Sequence, residues 1–570
     1  MSQTAKAQKL HGRAFYESIG SPKLILAPMV EQSEFSRQAW RLLTRSFMPA
    51  EQNKQLLAYT PMFHARLFHE NPKYREAHFQ PLKGSMPDTP DPYHQSQFGH
   101  HDHHLDGNHE TDRPLFVQFC ANDPNDLLAA ARHVQPFCDA ADLNLGCPQG
   151  IARKGHYGSF LQEDWDLIYK LINNLHTNLD IPVTAKMRIL DTREKTLDYA
   201  KMILSAGASI ITVHGRQRHQ KGHNTGLADW AVIRYLRENL PPDTVIFANG
   251  NILRHDDIPV CLEATGADGV MSAEGNLYDP SVFAQPPPAG QEGREYWRGK
   301  DGRGGYRMDA VLRRYMDIIH RYVLGQDPPA RKPLFLPGDD DALPNTTAAQ
   351  LATEPSSAQK RPAEDEAETT SSTDAAQDKN GQPPSKKQKQ GKGEVRKKAE
   401  KCTNPNLTPM QAHLFHMLRP LVSKHTNVRD ALARCRAGDM AAYENVLAMV
   451  EAAVKEGLLE YEASPLEEPQ TEPQTEPQTR PEVDPTKDES SLATVAWCKR
   501  PWFICQPYVR PLPKEALEKG SMQLTRKEKE RLEREKEENK QAGLEPEGRV
   551  EEQENNGEKV EVPKEGMVCG

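Results

Sequence analysis

Several short apolar runs of this sequence each end on a residue able to do chemistry. The ends are Pro28-Met29-Val30, Pro61-Met62, Gln118, Asn144 with Cys147, Lys186 with Arg188, His214 with Arg216, Asn249-Gly250-Asn251 and Ala273-Glu274-Gly275. Lys186 and His214 can set positive charge or hydrogen-bond donors beside an anionic ring, as in a reduced flavin. The glycines of the last two ends let backbone N–H groups approach an anion closely, and a following helix N-terminus would add its dipole. One lysine or histidine in such a place is commonly a structural pair, and one glycine turn is ordinary. Their convergence is what points to a working rim.

The elements that must position them alternate along the chain. The β-rich runs are Lys23–Ala27, Leu56–Thr60, Leu115–Phe119, Ala141–Leu145, Val183–Arg188, Ile210–His214, Val245–Ala248 and Gly269–Met271. Amphipathic stretches such as Glu34–Ser46, Pro124–Val134, Trp165–His176 and Thr196–Ala206 follow most of them. Strict alternation over ~260 residues predicts an α/β chain folded as a (β/α)8 TIM barrel, with a doubly wound sheet as the rival. In a barrel the chemistry lies at the C-terminal strand ends, and the ends of the seventh and eighth strands are the usual phosphate site. Helical spacing returns in Tyr306–Leu324 and Met410–Tyr461, which predicts a small helical domain after the barrel.

Composition limits how much of the 570 residues can fold. Apolar residues make up 37% and proline is abundant at 45, so part of the chain buries little. Between Gly338 and Lys401 the large apolar residues are Leu343, Leu351 and Val395, too few to offset the ordering entropy. Glu462 to Thr494 holds a tandem E-P-Q-T repeat, and the chain beyond Gly520 is mostly charged. The expected division is an N-terminal extension (1–21), a barrel (22–290) with a His- and Pro-rich insertion (79–113), and a helical domain in two parts (291–335 and 406–462). A disordered charged linker (336–405) separates those parts. A Pro-rich linker (463–494), an aromatic segment (495–515) and a charged disordered tail (516–570) complete it. Trp497, Trp502, Phe503 and Tyr508 are expected to dock that aromatic segment onto the folded body.

The same residues form motifs. L-I-L-A-P-M-V (Leu24–Val30), V-Q-F (Val117–Phe119), D-L-N-L-G-C-P (Asp142–Pro148), K-M-R (Lys186–Arg188), T-V-H-G-R (Thr212–Arg216), A-N-G-N-I (Ala248–Ile252) and V-M-S-A-E-G-N-L (Val270–Leu277) occur in order. Together they resemble the tRNA-dihydrouridine synthases, most of all the eukaryotic 16/17 branch; M-Q-A-H-L-F from Met410 resembles that family's helical tRNA-binding domain. The resemblance implies an FMN enzyme that reduces the C5–C6 double bond of uridines in the tRNA D-loop with NADPH or NADH. By position it implies FMN contacts from Pro28, Met29, Val30, Gln118, Lys186, His214, Asn249, Gly250, Asn251, Ala273 and Glu274, with Cys147 as proton donor. An ordinary thiol, with a pKa of roughly 8.5, is mostly protonated at neutral pH and able to donate. Asn144, Arg153, Lys154, Tyr157, Arg188 and Arg216 are candidates for contact with tRNA. Gln217 stands where the family carries threonine, which removes a hydroxyl.

Other signals have plainer readings. His94, His100, His101, His103, His104 and His109 are crowded but lack cysteine partners and helical spacing, so no metal site is expected. Lys386–Lys401 is strongly basic and resembles a nuclear import signal. The polar Met1–Lys9, the scattered cysteines and the absence of a long apolar run lead us to expect an intracellular, non-membrane chain of the cytoplasm, the nucleus or both, most simply a monomer. Cys138 and Cys261 are expected as buried helix positions. The rival functions are a non-catalytic tRNA-binding flavoprotein and an FMN oxidoreductase acting on a free pyrimidine.

Overall fold

The computed structural model describes residues 9–29, 36–84, 86, 104–339, 402–464 and 491–520. Nine parallel strands make one sheet: β1 (Leu24–Leu26), β2 (Leu56–Tyr59), β3 (Phe63–His64), β4 (Leu115–Cys120), β5 (Ala140–Leu145), β6 (Val183–Arg188), β7 (Ile210–His214), β8 (Val245–Asn249) and β9 (Gly269–Ser272). β1 pairs with both β2 and β9, and β2 pairs with β4, so eight strands close into a barrel and the doubly wound alternative falls. β3 is a two-residue continuation after Pro61 that pairs only with the end of β4. The predicted runs are the barrel strands, and every residue of β2 and β4 through β9 is buried. A barrel interior filled with side chains on one face and covered by helices on the other requires this.

Register decides what meets at the rim. Asn144 of β5 lies beside Lys186 of β6, Arg188 of β6 beside His214 of β7, and His214 beside Asn249 of β8. The covering helices start where their caps stand. Asp123 accepts from the backbone of Asn125 and Asp126 before the helix Pro124–Val134, Asp164 from Leu167 before Trp165–Asn178, and Asp229 from Val232 before Trp230–Asn239. Each such cap contributes about 1 kcal/mol.

Several regions differ from expectation. The N-terminal extension carries the helix Gly12–Ser18, whose Phe15 and Tyr16 are buried against Phe116 and Phe247. The Tyr16 hydroxyl donates to the carbonyls of Pro22 and Asp268, which ties this helix to the N-terminal ends of β1 and β9. The two flanks of the 79–113 insertion are folded. Arg41, in the helix Gln38–Arg45, is fully buried, and its guanidinium donates to both oxygens of Asp112 (2.8 and 2.5 Å) and to Asp106 (2.8 Å). The insertion therefore feeds two carboxylates back under the barrel helices, which its polar composition concealed. His94, His100, His101 and His103 lie outside the described residues, as do the E-P-Q-T repeat and Lys386–Lys401. Among the described residues no group of histidine, cysteine and carboxylate side chains could hold a metal, and no helix is long and apolar enough to cross a membrane. Cys138 is buried but sits in the loop before β5, not on a helix.

The helices Met308–Ile318, Met410–Met417, Arg419–Lys424, Thr426–Arg434 and Met440–Ala463 pack together and onto the barrel. Trp40 from the barrel helix Gln38–Arg45 stacks on His413 at 4.2 Å and meets Tyr315 edge-on at 5.6 Å; the Tyr315 hydroxyl hydrogen-bonds His413 Nδ1 at 2.7 Å. The first stretch of this region also contains a hairpin, Tyr296–Arg298 with Gly304–Tyr306, ahead of its helix. Residues after the Pro-rich linker fold back onto the same unit, with the helix beginning at Leu492 rather than after residue 494. Phe503 and Ile504 are buried there, and Ile504 bridges Arg307 beside the hairpin.

Candidate active site

Cys147 sits in the loop between β5 and the helix Gly150–Gly155, partly exposed in a recess of about 40 Å3. Pro28, Gln118, Asn144, Lys186, Arg188, His214 and Ala273 line the same recess. The loop is clamped from several sides. Asn144 Oδ1 accepts from the backbone N–H groups of Gly146 (3.1 Å) and Cys147 (2.8 Å). Arg188 Nε donates to the Gly146 carbonyl, Lys221 Nζ to the Pro148 carbonyl, and the Ser159 hydroxyl to the Cys147 carbonyl. Gly158 has φ +64°, and a Cβ there would stand 2.8 Å from the Cys147 carbonyl oxygen. Only glycine permits that approach.

Behind the loop runs a buried chain of hydrogen bonds. Thr184 Oγ1 donates to Asp142 Oδ1 (2.6 Å), Gln118 Nε2 to Asp142 Oδ2 (2.8 Å), and Asn144 Nδ2 to Gln118 Oε1 (2.8 Å). Asp142 orients Gln118, Gln118 orients Asn144, and Asn144 holds the Cys147 backbone. Burial pushes the Asp142 carboxyl up to about 6, opposed by the two donors and by Lys186. Burial also raises the Cys147 thiol, against the pull of the Gln149 backbone, Arg188, Lys186 and Lys221. The thiol is therefore held protonated at neutral pH.

Burial, with Arg188, Lys186 and Arg216 nearby, drives His214 well below its ordinary value. Its imidazole is neutral. Arg216 Nη1 lies 3.1 Å from His214 Nε2; a guanidinium can only donate, so Nε2 accepts and the ring proton is on Nδ1. Lys186 Nζ donates to Asn249 Oδ1 at 2.9 Å, and Arg216 Nη2 to Asn251 Oδ1 at 2.8 Å.

Beside the recess, and sharing Ala273 with it, opens a cavity of about 660 Å3. Arg216, Asn249, Gly250, Asn251, Ala273 and Glu274 line its barrel side. Gly250 has φ +117° and a Cβ there would meet Ala228 at 2.6 Å, so the β8 end needs its glycine. Burial and Arg188 lower the Arg216 guanidinium to about 10, which leaves it charged, and its hydrogen bonds go to His214, the Gly226 carbonyl and Asn251. A charged fork among neutral partners suits an anion. The helix after β9, Glu274–Tyr278, is only five residues long and opens on a carboxylate, so the expected dipole contribution at this end is small. The donor set as a whole fits an elongated anionic cofactor, with a ring end at Pro28, Lys186 and His214 and an acid end at Arg216 and Gly250.

The structure separates the remaining sequence candidates. Met29 is buried, and its backbone N–H donates to the Ser36 hydroxyl; Val30 lies outside the described residues. Asn144 and Arg188 are buried and brace the cysteine loop while lining its recess. Tyr157 is buried beside Met62 and Cys120. Arg153 and Lys154 are exposed on the helix that follows Cys147. Asp142, Gly158, Ser159 and Lys221 support the site without being among the sequence candidates for it. Asp142 was open to detection, since it alternates with Asn144 on one strand face. Gly158 and Lys221 reach the loop only through tertiary contact.

The chain is similar to known proteins. The family model described as Dihydrouridine synthase (Dus) matches residues 25–296. A Schizosaccharomyces pombe protein named tRNA-dihydrouridine(16/17) synthase (NAD(P)(+)) is 38% identical over 509 residues, 89% of this chain and 92% of that protein. A Saccharomyces cerevisiae protein of the same name is 52% identical over 318 residues, 56% of this chain and 65% of its own length. A Mus musculus protein with the like-named description is 43% identical over 282 residues, 49% of this chain and 52% of its own length. The chain thus spans nearly all of the fission-yeast relative but less than two thirds of the other two.

Proposed function

This chain belongs to the dihydrouridine synthase family, and from that premise we propose that it reduces the C5–C6 double bond of uridine to dihydrouridine in the D-loop of tRNA. Its cofactor in this reading is FMN, with NADPH or NADH as the reductant. One observation carries the proposal: a protonated thiol, Cys147, is presented on a clamped loop in the recess that Lys186 and His214 share.

Reduction adds a hydride at C6 and a proton at C5 of the uracil. Bound FMN supplies the hydride. The remaining work falls to side chains. The Cys147 Sγ proton goes to C5, and the raised thiol keeps that proton in place until the base arrives. Asn144, Arg188, Ser159 and Lys221 fix the loop, so the thiol need not search for its position. Neutral His214 donates from Nδ1 while Arg216 fixes its other nitrogen. Lys186, steadied by Asn249, offers positive charge to the ring end of the site. The target uridine must leave its stack to reach the recess, and exposed Arg153 and Lys154 beside the loop offer charge to the tRNA backbone.

The test is to incubate the purified chain with NADPH and unmodified tRNA and to map dihydrouridine by mass spectrometry. Dihydrouridine is expected at D-loop positions and not with free uracil as substrate. Cys147→Ser is expected to keep its visible flavin absorbance while losing about 10²–10⁴-fold in rate. Undiminished activity in that variant would sink the assignment.

A further inference from the structure

The cavity at the ends of β8 and β9 has a second wall, and it comes from far along the chain. Thr494, Tyr508, Val509 and Arg510 line the side that faces Asn249–Asn251 and Glu274. Arg510 forms a fork with the Glu274 carboxylate, Nε at 2.9 and 3.0 Å from its two oxygens and Nη2 at 2.7 Å from Oε1. Burial would lower this guanidinium, but the pairing outweighs it and the charge is held.

The segment is built in rather than draped on. The Cys505 N–H donates to the Tyr306 carbonyl at 2.9 Å, and the Met308 N–H to the Phe503 carbonyl at 3.0 Å. Glu515 accepts from the Ser491 N–H and hydroxyl and from the Leu512 N–H, which closes the segment into a loop. Arg419 of the helical region lies over the Tyr508 ring at 3.9 Å. A wall so anchored holds Arg510 at one place over the cavity.

Glu274 alone would make this end of the cavity repel an anion. Arg510 cancels that charge, and the cavity keeps the Arg216 guanidinium, whose hydrogen-bond partners are neutral. An anion entering here meets two guanidinium groups, one from the barrel and one from the distal segment. We infer that the segment from Ser491 to Leu512 is the outer wall of the cofactor site and that Arg510 binds the terminal phosphate of FMN, positioned for it by Glu274. This rests on the flavin reading above. It assigns a cofactor contact to a region 236 residues from Glu274, outside residues 25–296 that the family model matches.

The experiment compares FMN with riboflavin, which lacks the phosphate. Both are titrated into the full-length chain freed of flavin, with quenching of flavin fluorescence as the readout, for wild type, Arg510→Gln, and Arg510→Gln with Glu274→Gln. Arg510→Gln is expected to weaken FMN binding by about 10-fold or more and to leave riboflavin binding unchanged. The double variant is expected to stay weak. Recovery of wild-type FMN affinity in the double variant would overturn the phosphate contact, because Arg510 would then serve only to neutralise Glu274. Equal losses for FMN and riboflavin would overturn it too, as a change of cavity shape alone. If Arg510→Gln melts early, Arg510→Lys replaces it; that variant keeps the charge but not the fork and is expected to weaken FMN selectively. A wild-type chain that binds neither flavin would overturn the flavin reading itself, and is separable from every outcome above.

Discussion

Asp142 shows how a residue behind the recess can set the position of one inside it. Its carboxylate takes the Thr184 hydroxyl and the Gln118 amide, and through Gln118 and Asn144 it sets the backbone of Cys147. Its cost is burial of a charge, and that is why its pKa rises from 3.8 to about 6. The sign follows from proton binding. Between about pH 4 and pH 6 the folded chain keeps a proton that the unfolded chain releases, so this site favours the fold most at low pH and loses that contribution as pH rises through 6. Asp142→Asn removes the titration. In thermal melts at about pH 4 and about pH 7 the wild type is expected to lose stability relative to the variant as pH rises. Parallel pH dependence of the two proteins would show that Asp142 does not titrate as described. The cysteine itself was legible in the sequence because N-L-G-C-P stands at a strand end. Its electrostatics were not, since the burial that raises the thiol depends on the neighbouring strands.

At the scale of elements, the barrel positions the site by register and the loops refine it. Parallel pairing sets Asn144 beside Lys186 and His214 beside Asn249, so residues spread over more than a hundred positions reach one rim. The run from Cys147 to Leu161 then folds back on itself, and Gly158 lies against the cysteine carbonyl. Gly158→Ala would push a Cβ into that carbonyl and move the loop. We expect dihydrouridine formation to fall by roughly 10²-fold, the effect of about 1 Å of misplacement, with flavin content retained. Equal loss of flavin and activity would mean that the loop supports the cofactor rather than the thiol. The strands and most covering helices were legible because their periodicities, 2.0 and 3.6, come from local geometry. The folded flanks of the insertion were not legible, for the opposite reason. Asp106 and Asp112 look like solvated loop charges in sequence, and only Arg41, brought beneath them by a barrel helix, offsets the penalty of burying them.

At the scale of the whole molecule, the described residues up to 337 belong to the same compact unit as 402–464 and 491–520, assembled from separated stretches of chain. Residues 402–464 and 491–520 pack on the barrel, with Trp40, Tyr315 and His413 forming a shared aromatic centre. Arg153 and Lys154 lie exposed on the helix that follows Cys147. If they bind tRNA phosphates, affinity falls steeply with salt. Replacing both with alanine is then expected to shallow the log–log salt slope by roughly one unit for each phosphate no longer neutralised, measured by filter binding over a salt series. An unchanged slope would assign them to the solvated surface.

The amino-acid sequence by itself determined the alternation of strands and helices, the polar rim and the cysteine with its turn. These are encoded in neighbours a few residues apart, where sterics and hydrophobic periodicity act directly. Tertiary structure alone decided which charges are paired and which cavities have walls. Arg41 finds Asp112, Gly158 meets Cys147, and Arg510 closes on Glu274. Such pairings join residues distant in sequence and leave no local pattern, because their energy comes from burial and closeness that exist only once the chain has folded.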